Sequence, residues 1–283
     1  MAEIESFMGQ GDPEWEREQE VKRVQLLRQA WLARNRQYND LFGEPTWVSP
    51  KNYAPPKLIT ADEVDLDKDT TGSGKKFQEG ADDVDSSEQH LAVLAYGPDP
   101  FRPYWTYITA GISSPWVHSE PQEVSGFGCE IMIKSPTDLP WAPQLLRTMA
   151  YYIFNHAGTL SPGVRIGLGA PIAVNTDSLL RNVIIWYADE APDCWYQLPS
   201  GGFGIFMAIG ITEAELKYAE SVDNYGTWCI EQLLRRKGIG QVTDPGRACT
   251  MDAPDTVEML KSIKHFADTF RENDGEPAIE EVN

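Results

Sequence analysis

The first segment of the chain carries apolar residues at the spacing of a helix. These positions are Val21, Val24, Leu27, Trp31, Tyr38 and Leu41. Asp12 offers an N-cap and Pro13 suits the first helical position, whereas Gly43 and Pro45 end the pattern. The pattern predicts an N-terminal helix that is exposed on most sides and packs through one stripe.

From His90 onward, short apolar runs alternate with turn residues, which is typical of β-strands. The runs cover residues 91–96, 104–110, 164–168, 183–187 and 203–209. Between them, the spacing of apolar residues predicts a helix over 141–154. Three more helices are predicted near the C-terminus, over 216–222, 227–237 and 255–270. The first of these follows a capping box formed by Thr212 and Glu215.

The segment SGFGCEIMIK, residues 125–134, combines two glycines, a cysteine and an alternating pattern. We interpret the glycines as a tight entry of the backbone into a strand rather than as a ligand-binding loop. Cys129, Ile131 and Ile133 then share one strand face, and residues 130, 132 and 134 share the other. A face of Cys and Ile is a core face, so the thiol of Cys129 is expected to be inert packing.

Together these elements predict an α/β protein of the α+β type. Its sheet is mixed, mostly antiparallel and of about five to seven strands, and it is flanked by helices, with further helices added at both termini. The predicted segments are an N-terminal helical extension (1–44), an acidic, Gly-rich loop or linker (45–87), the main domain (88–252) and a C-terminal helix with an acidic tail (253–283).

The charge balance narrows the classes of partner. The formal net charge is −19 and the sequence pI is about 4.5. Phosphates repel such a chain, so we expect no nucleic-acid partner and no attachment to anionic membranes. The acidic N-terminal residues do not form a signal peptide, and no apolar stretch is long enough to span a bilayer, so a cytoplasmic protein is expected.

Several segments resemble known binding motifs but lack residues that those motifs require. The Gly-Ser-Gly-Lys segment at 72–75 lacks the first glycine and the final hydroxyl of a phosphate-binding loop, and the acids at 65–69 lack the later residues of a calcium loop. Pro171 stands where a dinucleotide-binding motif needs a helix. The four histidines show no metal-binding spacing. We therefore predict no cofactor, no metal and no catalytic residue.

Acidic residues beside aromatic residues are a frequent setting for protein contacts. The candidate contact residues are Asp99, Arg102, Asp189, Glu190, Asp193, Trp195 and Tyr196. The first two lie in the turn between the first two strands of the main domain, and the others lie in a later turn. The same residues are also compatible with an ordinary charged surface. An enzyme remains the rival class, with Cys129 or Cys229 as nucleophile and a histidine brought near by folding.

Six segments occur in one order between about residues 88 and 252. They are HLAVLAYGPDPFRPYWTYITAGIS, SGFGCEIMIK, PWAPQLLRTMAYYIF, LSPGVRI, LPSGGFGIFMAIGITEAELKYAES and QLLRRKGIGQVTDPGR. In this order they resemble the motifs of the Suppressor of fused (SUFU-like) domain family. The resemblance rests on the order of the six segments, because no single segment is diagnostic of the family. The N-terminal helix, the acidic linker and the last helix lie outside the resemblance.

The resemblance implies a non-catalytic protein-binding domain. Animal members of the family bind transcription factors, and bacterial relatives are regarded as immunity proteins that neutralise a toxin by stoichiometric binding. This chain lacks the long C-terminal region of the animal proteins, which favours the bacterial type. A negative net charge also suits a basic toxin, because complementary charge speeds encounter. The alternative within the binding class is a regulator that grips a peptide or transcription factor at a sheet edge.

Overall fold

The computed structural model describes residues 12–65, 91–222 and 225–273. Among these residues it has five helices and eight strands. The helices are α1 (Pro13–Phe42), α2 (Trp141–Tyr152), α3 (Glu213–Ser221), α4 (Gly226–Arg236) and α5 (Thr256–Asn273). The strands are β1 (Trp47–Ser49), β2 (Ala92–Tyr96), β3 (Trp105–Ala110), β4 (Val124–Ser135), β5 (Arg165–Gly167), β6 (Leu180–Tyr187), β7 (Tyr196–Leu198) and β8 (Gly201–Thr212).

The strands form one sheet in the order β1-β2-β3-β4-β8-β6-β5, and β7 pairs with β8. The ladders β1–β2, β2–β3, β3–β4, β5–β6 and β7–β8 are antiparallel. The ladder between β4 and β8 is parallel and contains a register shift between Val124 and Cys129. The predicted fold class, an α+β protein with a mixed and mostly antiparallel sheet, is therefore confirmed.

The predicted elements lie close to the observed ones. Asp12 caps α1 by accepting a hydrogen bond from the Glu14 backbone N–H at 3.0 Å, and the capping box of Thr212 and Glu215 opens α3. The two strands that the sequence pattern did not predict, β1 and β7, have three residues each. The weak motifs at 71–76 and 66–69, and the acidic tail after residue 273, lie outside the described residues.

The chain divides into two compact units. The first comprises Met1–Ser161 together with Tyr187–Met207, and the second comprises Pro162–Trp186 together with Ala208–Asn283. All seven candidate contact residues belong to the first unit. In the second unit, α4 packs against α3 and α5.

In the first unit, α1 covers the strand face that carries Glu130. The hydroxyl of Tyr38 donates a hydrogen bond to the Thr109 carbonyl at 2.9 Å, and the rings of Phe42 and Tyr96 lie 5.2 Å apart. The helix α2 packs on β2, β3 and β4. On the opposite face, which carries Cys129, the residues Thr159 and Leu160 that follow α2 contact the thiol. Both faces of β4 are consequently buried from Cys129 to Ser135, and the face of Glu130 is as fully buried as the predicted core face of Cys129.

Candidate protein-binding surface

The Ser-Gly-Phe-Gly segment near the start of β4, residues 125–128, is a packing junction. Gly126 has a φ of 55°, and a Cβ there would stand 2.4 Å from the Ser114 carbonyl oxygen. The hydroxyl of Ser125 donates to the Ser113 carbonyl at 2.6 Å and lies 2.5 Å from the hydroxyl of Ser200. The glycine is needed because another backbone passes where a side chain would project. The two glycines lie inside β4 rather than ahead of it, at the register shift between Val124 and Cys129, and both have positive φ.

Behind this junction lies a buried ion pair that the sequence pattern did not reveal. Arg34 on α1 and Glu130 on β4 are 3.6 Å apart, and neither side chain is exposed. The Glu130 carboxylate also accepts hydrogen bonds from the Thr109 hydroxyl, the Gly111 N–H and both the N–H and hydroxyl of Ser113, at 2.6–3.0 Å. Such complete satisfaction is what a buried carboxylate requires.

The turn between β2 and β3 brings Asp99 and Arg102 together. Asp99 accepts hydrogen bonds from the backbone N–H groups of Phe101 and Arg102, and from the Arg102 side chain at 2.8 Å. The Arg102 side chain lowers the pKa of Asp99, and the Phe101 N–H lowers it further. Arg102 also donates to the Phe42 carbonyl, so both charged groups hold the turn. Phe101, between them, is 94% exposed.

Glu190 is an anchor for the segment 188–195. Its carboxylate accepts a hydrogen bond from the hydroxyl of Tyr104 and lies 2.5 Å from the ammonium of Lys134. Lys134 is buried, and its nitrogen lies 5.0 Å from the centroid of the Tyr104 ring. Burial, followed by the hydrogen bond to Glu190, raises the pKa of Tyr104 above its ordinary value. Neither Tyr104 nor Lys134 was a sequence candidate, because their partner lies far along the chain.

The remaining candidates divide into exposed and buried groups. Asp189 and Asp193 are exposed. Trp195 is 49% exposed, and its indole lies against Gly202 on β8. Tyr196 is only 4% exposed, and its ring centroid lies 5.9 Å from that of Phe203. The segment thus presents Asp189, Asp193 and Trp195 to solvent, whereas Tyr196 contributes to the core.

The thiols named for the rival enzyme class lie in environments that disfavour a nucleophile. Burial raises the pKa of Cys129 to about 12, and it also raises the pKa of Cys229. The polar contacts of Cys129 are the Leu160 backbone and the Thr159 side chain. Because the reactive species is the thiolate, a raised pKa disfavours either thiol as a nucleophile at neutral pH.

The described residues contain neither a metal-binding cluster nor a membrane-spanning helix. No cluster of three His, Cys, Asp or Glu side chains there could hold a metal ion. In the same part of the chain, no helix combines the length and apolar character that crossing a bilayer requires.

Comparison with known proteins identifies the class of this α+β fold. The family model described as "Suppressor of fused protein (SUFU)" matches residues 87–248, more than half of the chain. The chain belongs to the Suppressor of fused family. None of the curated proteins with which it was compared matches it.

The chain is also similar to solved structures, of which the Drosophila one supports the fold. The crystal structure of Drosophila Suppressor of Fused matches at a TM-score of 0.52 and 19% identity over 61% of this chain. The match covers only 46% of the Drosophila chain, so this protein spans less than half of that relative. The Sufu–Fu complex matches at a TM-score of 0.49 and 21% identity, over 60% of this chain and 81% of that one. A putative SUFU homologue from Neisseria gonorrhoeae matches at a TM-score of 0.43 and 20% identity, over 56% of this chain and 78% of that one.

Proposed function

We propose that this protein is a non-catalytic, stoichiometric protein-binding domain that neutralises a basic toxin. The observation that carries the proposal is the segment 188–195, which Glu190 fixes to the buried Lys134. A segment held in this way presents Asp189, Asp193 and Trp195 without a large loss of conformational freedom on binding. Such a preorganised, acidic and aromatic surface suits a protein partner rather than a small molecule.

Family membership supports the protein-binding part of the proposal, since Sufu forms a complex with Fu. The net charge of −19 supports the basic character of the partner. Opposite charge accelerates encounter, and speed is valuable when an intracellular toxin must be captured before it acts. The same charge weakens any interaction with nucleic acid or an anionic membrane.

Two other functions receive less support. A peptide that adds to a sheet edge needs a row of free backbone groups. Among the described residues, the strands paired on one side only are β1, β5 and β7, and each has three residues. On β1, moreover, Arg147 already donates a hydrogen bond to the Ser49 carbonyl at 2.7 Å. An enzyme with a cysteine nucleophile is disfavoured by the raised pKa values of Cys129 and Cys229.

The proposal is tested with the purified protein and the products of genes adjacent to its own. Size-exclusion chromatography with light scattering is expected to show a complex of fixed stoichiometry with one of them, and calorimetry is expected to give a submicromolar Kd that weakens with salt. Co-expression is expected to protect cells from that product. If no adjacent product binds at this strength, the toxin-neutralising function is rejected.

A charge-matched pair of variants locates the surface. Asp189→Asn/Asp193→Asn is expected to slow association, because both residues are exposed on the proposed surface. Asp40→Asn/Asp62→Asn removes the same charge from other exposed positions of the same unit. Equal association rates for the two double variants would place the interface elsewhere on the protein.

A further inference from the structure

The indole of Trp195 rests on a bed of two glycines. A Cβ at Gly202 would stand 1.9 Å from the indole Nε1, and a Cβ at Gly128 would stand 3.9 Å from Cη2. A side chain at position 202 would therefore displace the ring. The glycines lie on β8 and β4, which pair in parallel, so the ring sits on the rigid centre of a sheet. Beside it, Val124 is 42% exposed, and its Cγ1 reaches the space over Gly128.

The two stretches of chain that supply the ring and the two glycines contain no cationic side chain. Neither Lys nor Arg occurs in residues 103–133 or 182–216, the two stretches that supply the ring and its bed. Acidic residues do occur there. Glu123 is exposed, and its backbone carbonyl accepts a hydrogen bond from the Gly202 N–H at 3.0 Å. Asp193 is exposed two residues before Trp195.

We propose that the free face of Trp195 receives an arginine or lysine side chain of a basic protein partner. The inference rests on the proposed function and names the contact through which it would act. The face of an indole attracts a cation more strongly than that of any other aromatic side chain. The negative charges of Glu123 and Asp193 attract the cation as well.

The negative charge of the chain favours a basic protein as the partner over a second copy, nucleic acid or anionic lipid. A second copy of the chain carries the same net charge of −19 and would bring the same acidic residues against this surface. Nucleic acid and anionic lipid are repelled in the same way. A basic protein gains from both the ring and the carboxylates.

The first test uses the full chain labelled with 5-fluorotryptophan and the peptide acetyl-(Gly-Arg)₃-amide as the probe. The label is placed on all nine tryptophans, and the signal that is missing in Trp195→Leu is assigned to Trp195. We expect that signal to shift on titration, and Trp195→Leu to weaken peptide binding about two- to fivefold. Leucine preserves apolar bulk but has no ring, so this variant separates a cation–π contact from simple hydrophobic contact.

Two controls make the result specific. Trp15 on α1 is 39% exposed and follows Glu14, so it is an exposed tryptophan in acidic surroundings on a helix rather than on a glycine bed. Trp15→Leu is expected to leave peptide binding unchanged. The same peptide with citrulline in place of arginine, which has the shape but not the charge, is expected to give no shift. Equal effects at Trp15 and Trp195, an equal shift with citrulline, or no Trp195 shift at millimolar peptide would overturn the inference.

The second test separates this inference from the proposed function. If an adjacent-gene product binds, Trp195→Leu is expected to weaken that complex at least about tenfold, as for a central aromatic contact. Undiminished binding by the variant rejects the role of Trp195 and leaves the proposed function standing. If no adjacent-gene product binds, the proposed function fails, while the peptide titration still decides whether Trp195 receives a cation.

Discussion

The guanidinium of Arg34 lies 3.6 Å from the carboxylate of Glu130, and both side chains are fully buried. Arg34 also donates hydrogen bonds to the hydroxyls of Ser114 at 2.9 Å and Tyr53 at 3.1 Å. This pair joins α1 to β4, the strand that carries the Ser-Gly-Phe-Gly segment. The N-terminal helix is thus connected to the centre of the first unit by charge as well as by apolar packing.

Removal of one partner of this pair is expected to be costly. Arg34→Met should lower the free energy of unfolding by about 3–5 kcal/mol, because Glu130 is then left as a buried, uncompensated charge. The double variant Arg34→Met/Glu130→Gln should lose less than the sum of the two single losses. Urea unfolding followed by tryptophan fluorescence measures both. Arg36→Met, at an exposed position of the same helix, is the control, and a similar loss there would contradict the prediction.

The Gly126 junction predicts a contrast between two glycines of positive φ. Gly126→Ala should destabilise the protein severely, since its Cβ would lie 2.4 Å from the Ser114 carbonyl oxygen and 2.6 Å from that of Ile112. Gly158 has a φ of 73° but open space around it, so Gly158→Ala should lose only about 1–2 kcal/mol of backbone strain. Soluble yield and thermal unfolding test the contrast. Equal losses would mean that strain, rather than the backbone contact, explains both effects.

The lowered pKa of Glu215 leads us to expect that acid destabilises the second unit. Burial alone would raise the pKa of Glu215, but hydrogen bonds from Arg247, Thr212 and Thr250 outweigh it and hold the pKa below the ordinary 4.5. The folded state therefore binds the proton less readily than the unfolded state. The resulting stabilisation is complete above about pH 4.5 and is lost as the pH falls through the lowered value.

Unfolding free energies measured from neutral pH down to about pH 3 should show a shallower acid loss for Glu215→Gln than for the unchanged protein. Glu213→Gln, whose side chain is 57% exposed in the first turn of the same helix, is the control and should follow the unchanged protein. A full acid loss in Glu215→Gln would show that another carboxylate is responsible.

The thiols predict selective labelling. Cys194 is exposed, whereas Cys129, Cys229 and Cys249 are buried. A thiol reagent such as DTNB should modify one cysteine rapidly in the native protein and all four only after unfolding. Cys194→Ser should remove the fast reaction. Rapid native labelling of Cys129 or Cys229 would revive the hypothesis of a cysteine enzyme.

Local patterns in the sequence were enough to predict most of the helices and strands. The alternation in SGFGCEIMIK predicted one buried face of β4, and the residues at the ends of α1 predicted its limits. These signals are local, because a helix cap or a strand face is encoded within a few neighbouring residues. The strands β1 and β7 escaped prediction because three residues cannot display a period. The strand β5 is equally short, but Val164 and Leu168 extend its alternating pattern on both sides.

The candidate surface was less accessible to sequence reasoning because its contacts are distant along the chain. Glu190 resembled a surface acid until Lys134 and Tyr104 were placed beside it. Trp195 and Tyr196 are adjacent, yet one is half exposed and the other buried. The difference depends on the strand alternation of β7 and on the space over Gly202, which no local pattern records.

The parallel pairing of β4 with β8 has a consequence for biosynthesis. The chain completes β4 at Ser135, yet the strand that covers its open side begins only at Gly201. Until the ribosome has released that later stretch, β4 has one unpaired edge of an apolar strand, a template for association with other chains. Nascent or truncated forms that end near Ser161 should therefore depend on chaperones, even though they contain α1 and the first four strands.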